Sequence, residues 1–411
     1  MSAQPLERGG ALVAHAVESI RELEGRWPST RLPESLYLTY EWLESQEGWN
    51  TPRPLHVALH DRAREAVVAV LPAYLLEDPE QHRFDNCPRL LLDVTTYPRD
   101  LAGALPPDEG EALVRARDEL AGAGGLAYPA LVANAGNGAI AGYAAEAGTD
   151  ERALLAAFDE VADELGVPTR AYWYVNPVAL PAIPRELRSR CYAEAAINAV
   201  CQLDIRWASF EDYLHSLSSN RRTAVRREIR AFEADGLRVE LSDGAVLDAE
   251  LAEMHANLQH RYAQAGDPSA ILHGFDVARE KLGERLRVFV ARAGATPVGF
   301  ITALEFEGTL HVRQAGFAES RGSETRFVYF NTVFYAPIRY AIEAGLDRID
   351  YSYASFEAKQ ARGCSTTPRT THVRTNGVAP AQLEDYLRRY DRGVRGWLAA
   401  QGVESEALEY A

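Results

Sequence analysis

At 411 residues the chain is too long for one ordinary hydrophobic core, so two domains or two fused halves are expected. A hydrophobic fraction of 47% beside 25% charged residues is that of a soluble globular protein. The formal charge of −16 argues against broad, sequence-independent binding to nucleic-acid backbone, DNA included, while leaving room for a local basic patch.

No run of 18 apolar residues occurs, and the opening MSAQPLERGG lacks a charged-then-apolar leader pattern, so no membrane segment is expected and a cytoplasmic location is the default. Cys87, Cys191, Cys201 and Cys364 form no CxxC pair and have no histidine at ligand spacing. Reduced, mostly structural cysteines follow, with no metal and no bound cofactor. His255, His260 and His273 likewise make no HExxH-type ligand pattern.

In chain order, AHAVESIRELEGRW suggests a short helix. Residues Tyr37 to Leu43 place aromatic and apolar side chains at helical spacing. PLHVALHDRAREAVVAVLPAYLLED is a hairpin turning at Asp61-Arg62-Ala63-Arg64. After a stretch rich in Pro, Gly and Asp, ERALLAAFDEVADELGVPTRAYWYVNP predicts a helix, a stop at Gly166 and a strand.

The second half opens with a strand near Cys201, a helix from Ser209 and another from about Asn220, capped by Ser218, Ser219 or Asn220. In that helix Val225, Ile229 and Phe232 form an apolar stripe. Arg221, Arg222, Arg226, Arg227 and Arg230 crowd the same turns, either as a solvated face paired with Glu228 and Glu233 or as a phosphate site at the helix N-terminus. Two more helices follow, separated by Gly266-Asp267-Pro268. LRVFVARAGATPVGFITALEFEGTLHVRQAGF then predicts a three-strand meander, and VYFNTVFYAPIRYAIEAGLDRIDYSYASFEAKQARG a helix stopped at Gly345, a strand around Asp350, and a charged exit bearing Lys359.

Hairpin and helix-Gly-strand occur twice in the same order, which makes internal duplication the better reading. The expected domains are 1–200, 201–378 carrying the site, and a C-terminal helix over 379–411 that packs back on the domains. Only the second copy ends in the charged loop; the first ends in Asn176-Pro177.

Residues 200–365 resemble the GNAT-type domain of the Fem family of aminoacyl-tRNA-dependent transferases. The resemblance rests on the Ser-Ser-Asn-Arg-Arg start of the basic helix, the Pro297-Val298-Gly299 turn, the Gly345-to-Asp350 segment, and Lys359 with Gly363. It implies an α/β (α+β) fold of two tandem GNAT-like domains, each a mixed, mostly antiparallel sheet flanked by helices. It also implies transfer of an aminoacyl group from the 3′ end of aminoacyl-tRNA to a small amine acceptor, as in peptidoglycan bridges or natural-product biosynthesis. Carried over, Arg221, Arg222 and Lys359 approach phosphate or carbonyl oxygens, with Arg226 beside them. The chain departs from the peptidoglycan members in lacking a long coiled-coil insertion.

An aminoacyl ester is already activated, so the site has to position an amine, take its proton and stabilise an oxyanion. Lys359 is the expected oxyanion donor. Asp350 is the favoured base among Asp350, Tyr351, Glu357 and Glu305, although an Asp350 paired with Arg348 or Arg339 is equally economical. His311 and Arg313 share a strand face; with Tyr329, Asn331, Tyr351 and Glu357 they complete the expected substrate-binding set. Acyl-CoA is the alternative donor, but the loop AESRGSETRFVYFN holds one glycine, Gly322, where a CoA-binding GNAT usually shows [Q/R]xxGx[G/A]. A non-catalytic binding protein on the same scaffold is the reading from another class.

Overall fold

The structure, a computed structural model, describes residues 6–7, 12–28, 35–48, 51–80, 85–96, 99–262, 264, 266–318 and 327–403. The Gly322 loop lies outside them. The chain divides into two compact units, Met1–Ala199 with Thr367–Ala411, and Val200–Thr366.

In the first unit, strands β1 (Leu12–Val17), β2 (His56–Asp61) and β3 (Ala66–Leu71) form an antiparallel ladder, with the predicted hairpin between β2 and β3. The helix expected from Ala14 is instead β1, because LVAHAV pairs with HVALHD from Leu12↔Asp61 to Val17↔His56. The helical turn is confined to Ile20–Leu23, capped by Ser19. Strand β4 (Ala73–Leu76) runs antiparallel to β5 (Ala130–Ala133), and helix α1 (Glu151–Glu164) leads through Gly166, at φ +62°, into β6 (Thr169–Val175), parallel to β5. Leu154, Phe158 and Val161 of α1 pack on Val57, Leu59 and Val68 of the β1–β3 sheet, together with Leu131 and Tyr172.

Strand β7 (Ala193–Asp204) enters the second unit at Val200. Helices α2 (Phe210–Ser216) and α3 (Ser219–Ala234) follow, then β8 (Leu237–Ser242), α4 (Ala249–Arg261) and α5 (Pro268–Leu282). The meander is β9 (Leu286–Ala293), β10 (Thr296–Phe306) and β11 (Thr309–Phe317), antiparallel throughout and joined at one edge by β8. The next helix, α6, has three parts: Val328–Phe330, a π-turn Asn331–Tyr335, and Ala336–Glu343. Gly345, at φ +68°, ends it, a left-handed position that suits glycine. Strand β12 (Arg348–Asp350) then lies parallel to β11 and antiparallel to β7, and α7 (Phe356–Gln360) follows.

Strand β13 (Ser365–Thr375) and helix α8 (Pro380–Ala400) end the described chain. The unit boundary falls at 366, not the 378 expected, because β13 pairs with β6 from Thr370↔Val175 to Thr375↔Thr169. Helix α8 belongs to the first unit. Each unit thus holds the same core device, a helix, a left-handed glycine and a strand laid parallel to an earlier one. The fold is two tandem GNAT-like domains.

Candidate functional site

The second unit's parallel pair is short. Strands β11 and β12 are in register at Thr309↔Arg348, Leu310↔Ile349 and His311↔Asp350, after which β12 ends while β11 runs on to Phe317. Irregular register between Ile301 and Ala303 of β10 marks a bulge in the same stretch of β11, where Thr302 Oγ1 accepts from the Gln314 amide at 3.1 Å. The two central strands therefore part just beyond His311 and Asp350.

A polar row, buried at Asp350 and His311 and half-buried at Gln202, crosses three adjacent strands at that opening. Asp350 accepts from Gln202 Nε2 at 3.1 Å and from the Ser352 amide at 2.7 Å, and His311 is its neighbour in register. His311 is 2% exposed, and burial pushes its imidazole down to about 4, against the pull of Asp350, so the ring is neutral at pH 7. Arg313 stands half-buried farther along β11. Arg348 pairs with Asp204 at 3.1 Å instead of with Asp350, and Arg339 lies over the Phe210 ring at 3.8 Å. Glu305 pairs with Arg287 at 3.1 Å, away from this row.

Lys359 is not the open cation expected at the strand exit. It is 5% exposed on α7, and its Nζ donates to the carbonyls of Tyr351 at 2.7 Å, Ser352 at 3.2 Å and Tyr353 at 2.7 Å. An ammonium has three hydrogens, so none is left for an oxyanion. Burial lowers its pKa, opposed by Cys201, Cys364 and Asp350. The segment it clamps is strained: Ser352, Ala354 and Ser355 have φ of +57°, +65° and +50°. Lys359 is a strut for this turn.

The basic helix is also more occupied than expected. Ser218 caps it, accepting from the Arg221 amide. Arg222 donates to the carbonyls of His215 and Leu217 at the end of α2, at 3.3 and 3.4 Å, and Arg226 pairs with Glu211 at 2.7 Å. Arg221 is half-buried and Arg227 exposed. Glu228 does not serve the solvated face. It is 5% exposed and takes the buried stripe with Val225 and Phe232, while Ile229 is only half-buried.

Glu228 meets Arg362 at 3.1 Å and accepts from the Tyr335 hydroxyl, which Arg362 Nη2 also reaches at 3.0 Å. Arg362 Nη1 donates to the Ala358 carbonyl at 2.9 Å, and the guanidinium lies 3.9 Å from the Phe330 ring centre and 4.8 Å from that of Phe334. Tyr351 packs against Phe334 at 5.1 Å, and burial holds its phenol well above the usual range. Tyr329 contacts Phe317, Phe330 and Phe334, and its hydroxyl bonds to Ser355. Asn331 is buried in the π-turn, its Nδ2 donating to the Phe327 carbonyl at 3.0 Å. Glu357 is exposed on α7.

Sequence reasoning missed Gln202, Glu228, Tyr335 and Arg362. Two signals were available: Glu228 interrupts the stripe between Val225 and Phe232, and Arg362 follows Lys359 at i+3 on one helical face. Among the described residues no group of His, Cys, Asp and Glu is placed to hold a metal ion. None of their helices is long and apolar enough to cross a membrane.

A helix-flanked mixed sheet whose central parallel strands part beside polar groups is a GNAT-like fold. The chain belongs to the FemAB-like family, described as peptidoglycan biosynthesis/recognition, which matches residues 120–404. Among solved structures it is similar to FemX, at 10% identity and a TM-score of 0.53 over 93% of this chain and 99% of that one; this likeness shows the fold. It is also similar to a tandem GNAT protein from the clavulanic acid biosynthesis pathway, at 12% identity and a TM-score of 0.48 over 90% of this chain and 99% of that one. No curated protein sequence matches the chain.

Proposed function

We propose that this chain transfers an aminoacyl group from the 3′ end of aminoacyl-tRNA to the amine of a small molecule or cell-wall precursor, forming an amide in the cytoplasm. The observation that carries the reading is the parting of β11 and β12 beside the Gln202–Asp350–His311 row. An amine attacking the activated ester becomes cationic and must lose a proton. His311, neutral at pH 7 and next to Asp350, is the acceptor for that proton, and Gln202 with the Ser352 amide fixes Asp350. FemAB-like membership and the fold shared with FemX support a donor larger than acyl-CoA. On a chain of charge −16, the exposed Arg227 and the half-buried Arg221 make a local tRNA contact that weakens with salt.

The test mixes the protein with a panel of radiolabelled aminoacyl-tRNAs and candidate amines, and in parallel with acetyl-CoA and longer acyl-CoAs. Label should pass from a charged tRNA to an amine. Turnover with an acyl-CoA and with no charged tRNA refutes the donor assignment, and no transfer from any donor leaves the non-catalytic reading standing.

A further inference from the structure

The row assigned to proton transfer is closed to solvent. His311 is 2% exposed and Asp350 9% exposed, even though β12 ends at Asp350 while β11 runs on to Phe317. An amine and an ester carbonyl can meet at His311 only if the gap between those two strand exits is uncovered.

Tyr329 reaches both edges of the gap. Its ring packs on Phe317, the last residue of β11, with ring centres 5.6 Å apart, and its hydroxyl shares a hydrogen bond with Ser355, beyond the end of β12. Phe330 and Phe334 of α6 hold the same ring, at 5.3 and 5.8 Å. The aromatic contacts thus fix the ring to β11 and α6, and the hydrogen bond ties it to the other edge.

That other edge is the looser one. Lys359 clamps the carbonyls of Tyr351, Ser352 and Tyr353 with its ammonium, but Ala354 and Ser355 lie past the clamp, exposed and at φ of +65° and +50°. Non-glycine residues stay in such conformations only where their surroundings hold them. Ser355 is held by its carbonyl, which accepts from the Lys359 amide at 3.2 Å, and by Tyr329. Breaking the bond to Tyr329 therefore leaves the start of α7 in place and frees the edge of the gap. A single neutral hydrogen bond shifts an equilibrium by only about two- to tenfold, which makes it a latch rather than a fixed wall.

We propose that Tyr329 is the gate of the site: its hydrogen bond to Ser355 keeps the parted strands covered in the free protein, and release of that bond admits substrate to His311. That the admitted molecule is a transferase substrate rests on the function proposed above; the latch itself does not.

Tyr329→Phe keeps the ring and removes the latch, and Ser355→Ala removes it from the other side. Each full-length variant is treated at pH 7 with diethyl pyrocarbonate, which acylates neutral imidazole, and modification of the peptide containing His311 is followed by mass spectrometry. Wild type should react slowly, each single variant about two- to tenfold faster, and the double variant no faster than either single, because both remove one bond. Amide exchange in β9 and β10 should stay unchanged. A wild-type rate at His311 in the single variants overturns the gate, and so does a faster rate accompanied by faster exchange in β9 and β10, which means that the whole unit has loosened. The labelled-transfer assay decides the transferase reading separately: a chain whose His311 is uncovered by Tyr329→Phe but that passes label from no donor keeps the gate and loses that reading.

Discussion

Replacing Lys359 by methionine keeps the aliphatic stem and removes the ammonium that ties together three consecutive carbonyls, at 2.7, 3.2 and 2.7 Å. Hydrogen bonds to a charged group contribute about 1.5–3 kcal/mol each. Partial relaxation of the turn toward solvent recovers part of that, so the expected loss is about 3–5 kcal/mol. Ser352, Ala354 and Ser355 sit at positive φ, a conformation that costs about 1 kcal/mol or more for each non-glycine residue, so release of the clamp also relieves strain and this turn should open first. With a urea m-value of about 2 kcal/mol/M, the transition of the second unit should move down by roughly 2 M. Amide exchange over residues 351–355 should rise before the rest of the unit opens. A midpoint shift below about 0.5 M with unchanged exchange at those amides would refute the role of Lys359 as a strut.

Breaking the Arg362–Glu228 pair from one side, by Arg362→Met or Glu228→Gln, should cost about 3–5 kcal/mol, and Arg362→Met with Glu228→Leu less than the sum of the two singles, as read from a double-mutant cycle in urea. Arg226→Ala removes an exposed pair with Glu211 and should change stability by less than about 1 kcal/mol in the same assay. His311 is held at about 4 in the fold against an ordinary 6.5, so between those values the unfolded chain binds the proton and the folded chain does not. Stability therefore falls as pH drops through that window, by up to about 1.4 kcal/mol per pH unit from this residue, and His311→Asn should flatten the slope of urea midpoint against pH. A Cβ at Gly316 would stand 2.4 Å from Phe300 Cε1 and 2.8 Å from the His255 amide nitrogen of α4, so Gly316→Ala should destabilise by about 1–3 kcal/mol, measured by thermal melting.

Much of this architecture was legible because it is written in short-range signals. The meander, the helix stops at Gly166 and Gly345, and the Ser218 cap each depend on residues within a turn or two of one another. The error at Ala14 shows the limit: LVAHAV carries no strong period, and the strand containing Leu59, the partner of Ala14 and 59 − 14 = 45 residues away, decided that it is a strand. The site was legible in location and less so in role. His311 and Asp350 could be placed on neighbouring strands, but Lys359, Arg222 and Glu228 look alike on paper whether they face water or backbone. Only the packing of α7 under β12, and of α3 onto α6, turned the first into a strut, the second into a cap for α2 and the third into a buried counter-charge.

The division of the chain also sets an order of events during synthesis. Residues 200–366 are contiguous, so the second unit can complete its fold as soon as they have left the ribosome. The first unit, though begun earlier, waits for its last strand, since β6 gains β13 only when residues 370–375 arrive. Until then the edge of β6, rich in Tyr172, Trp173 and Val175, is open to pairing with another chain. A nascent chain from which residues up to 366, and no further, have emerged should therefore carry a finished second unit and an aggregation-prone first unit.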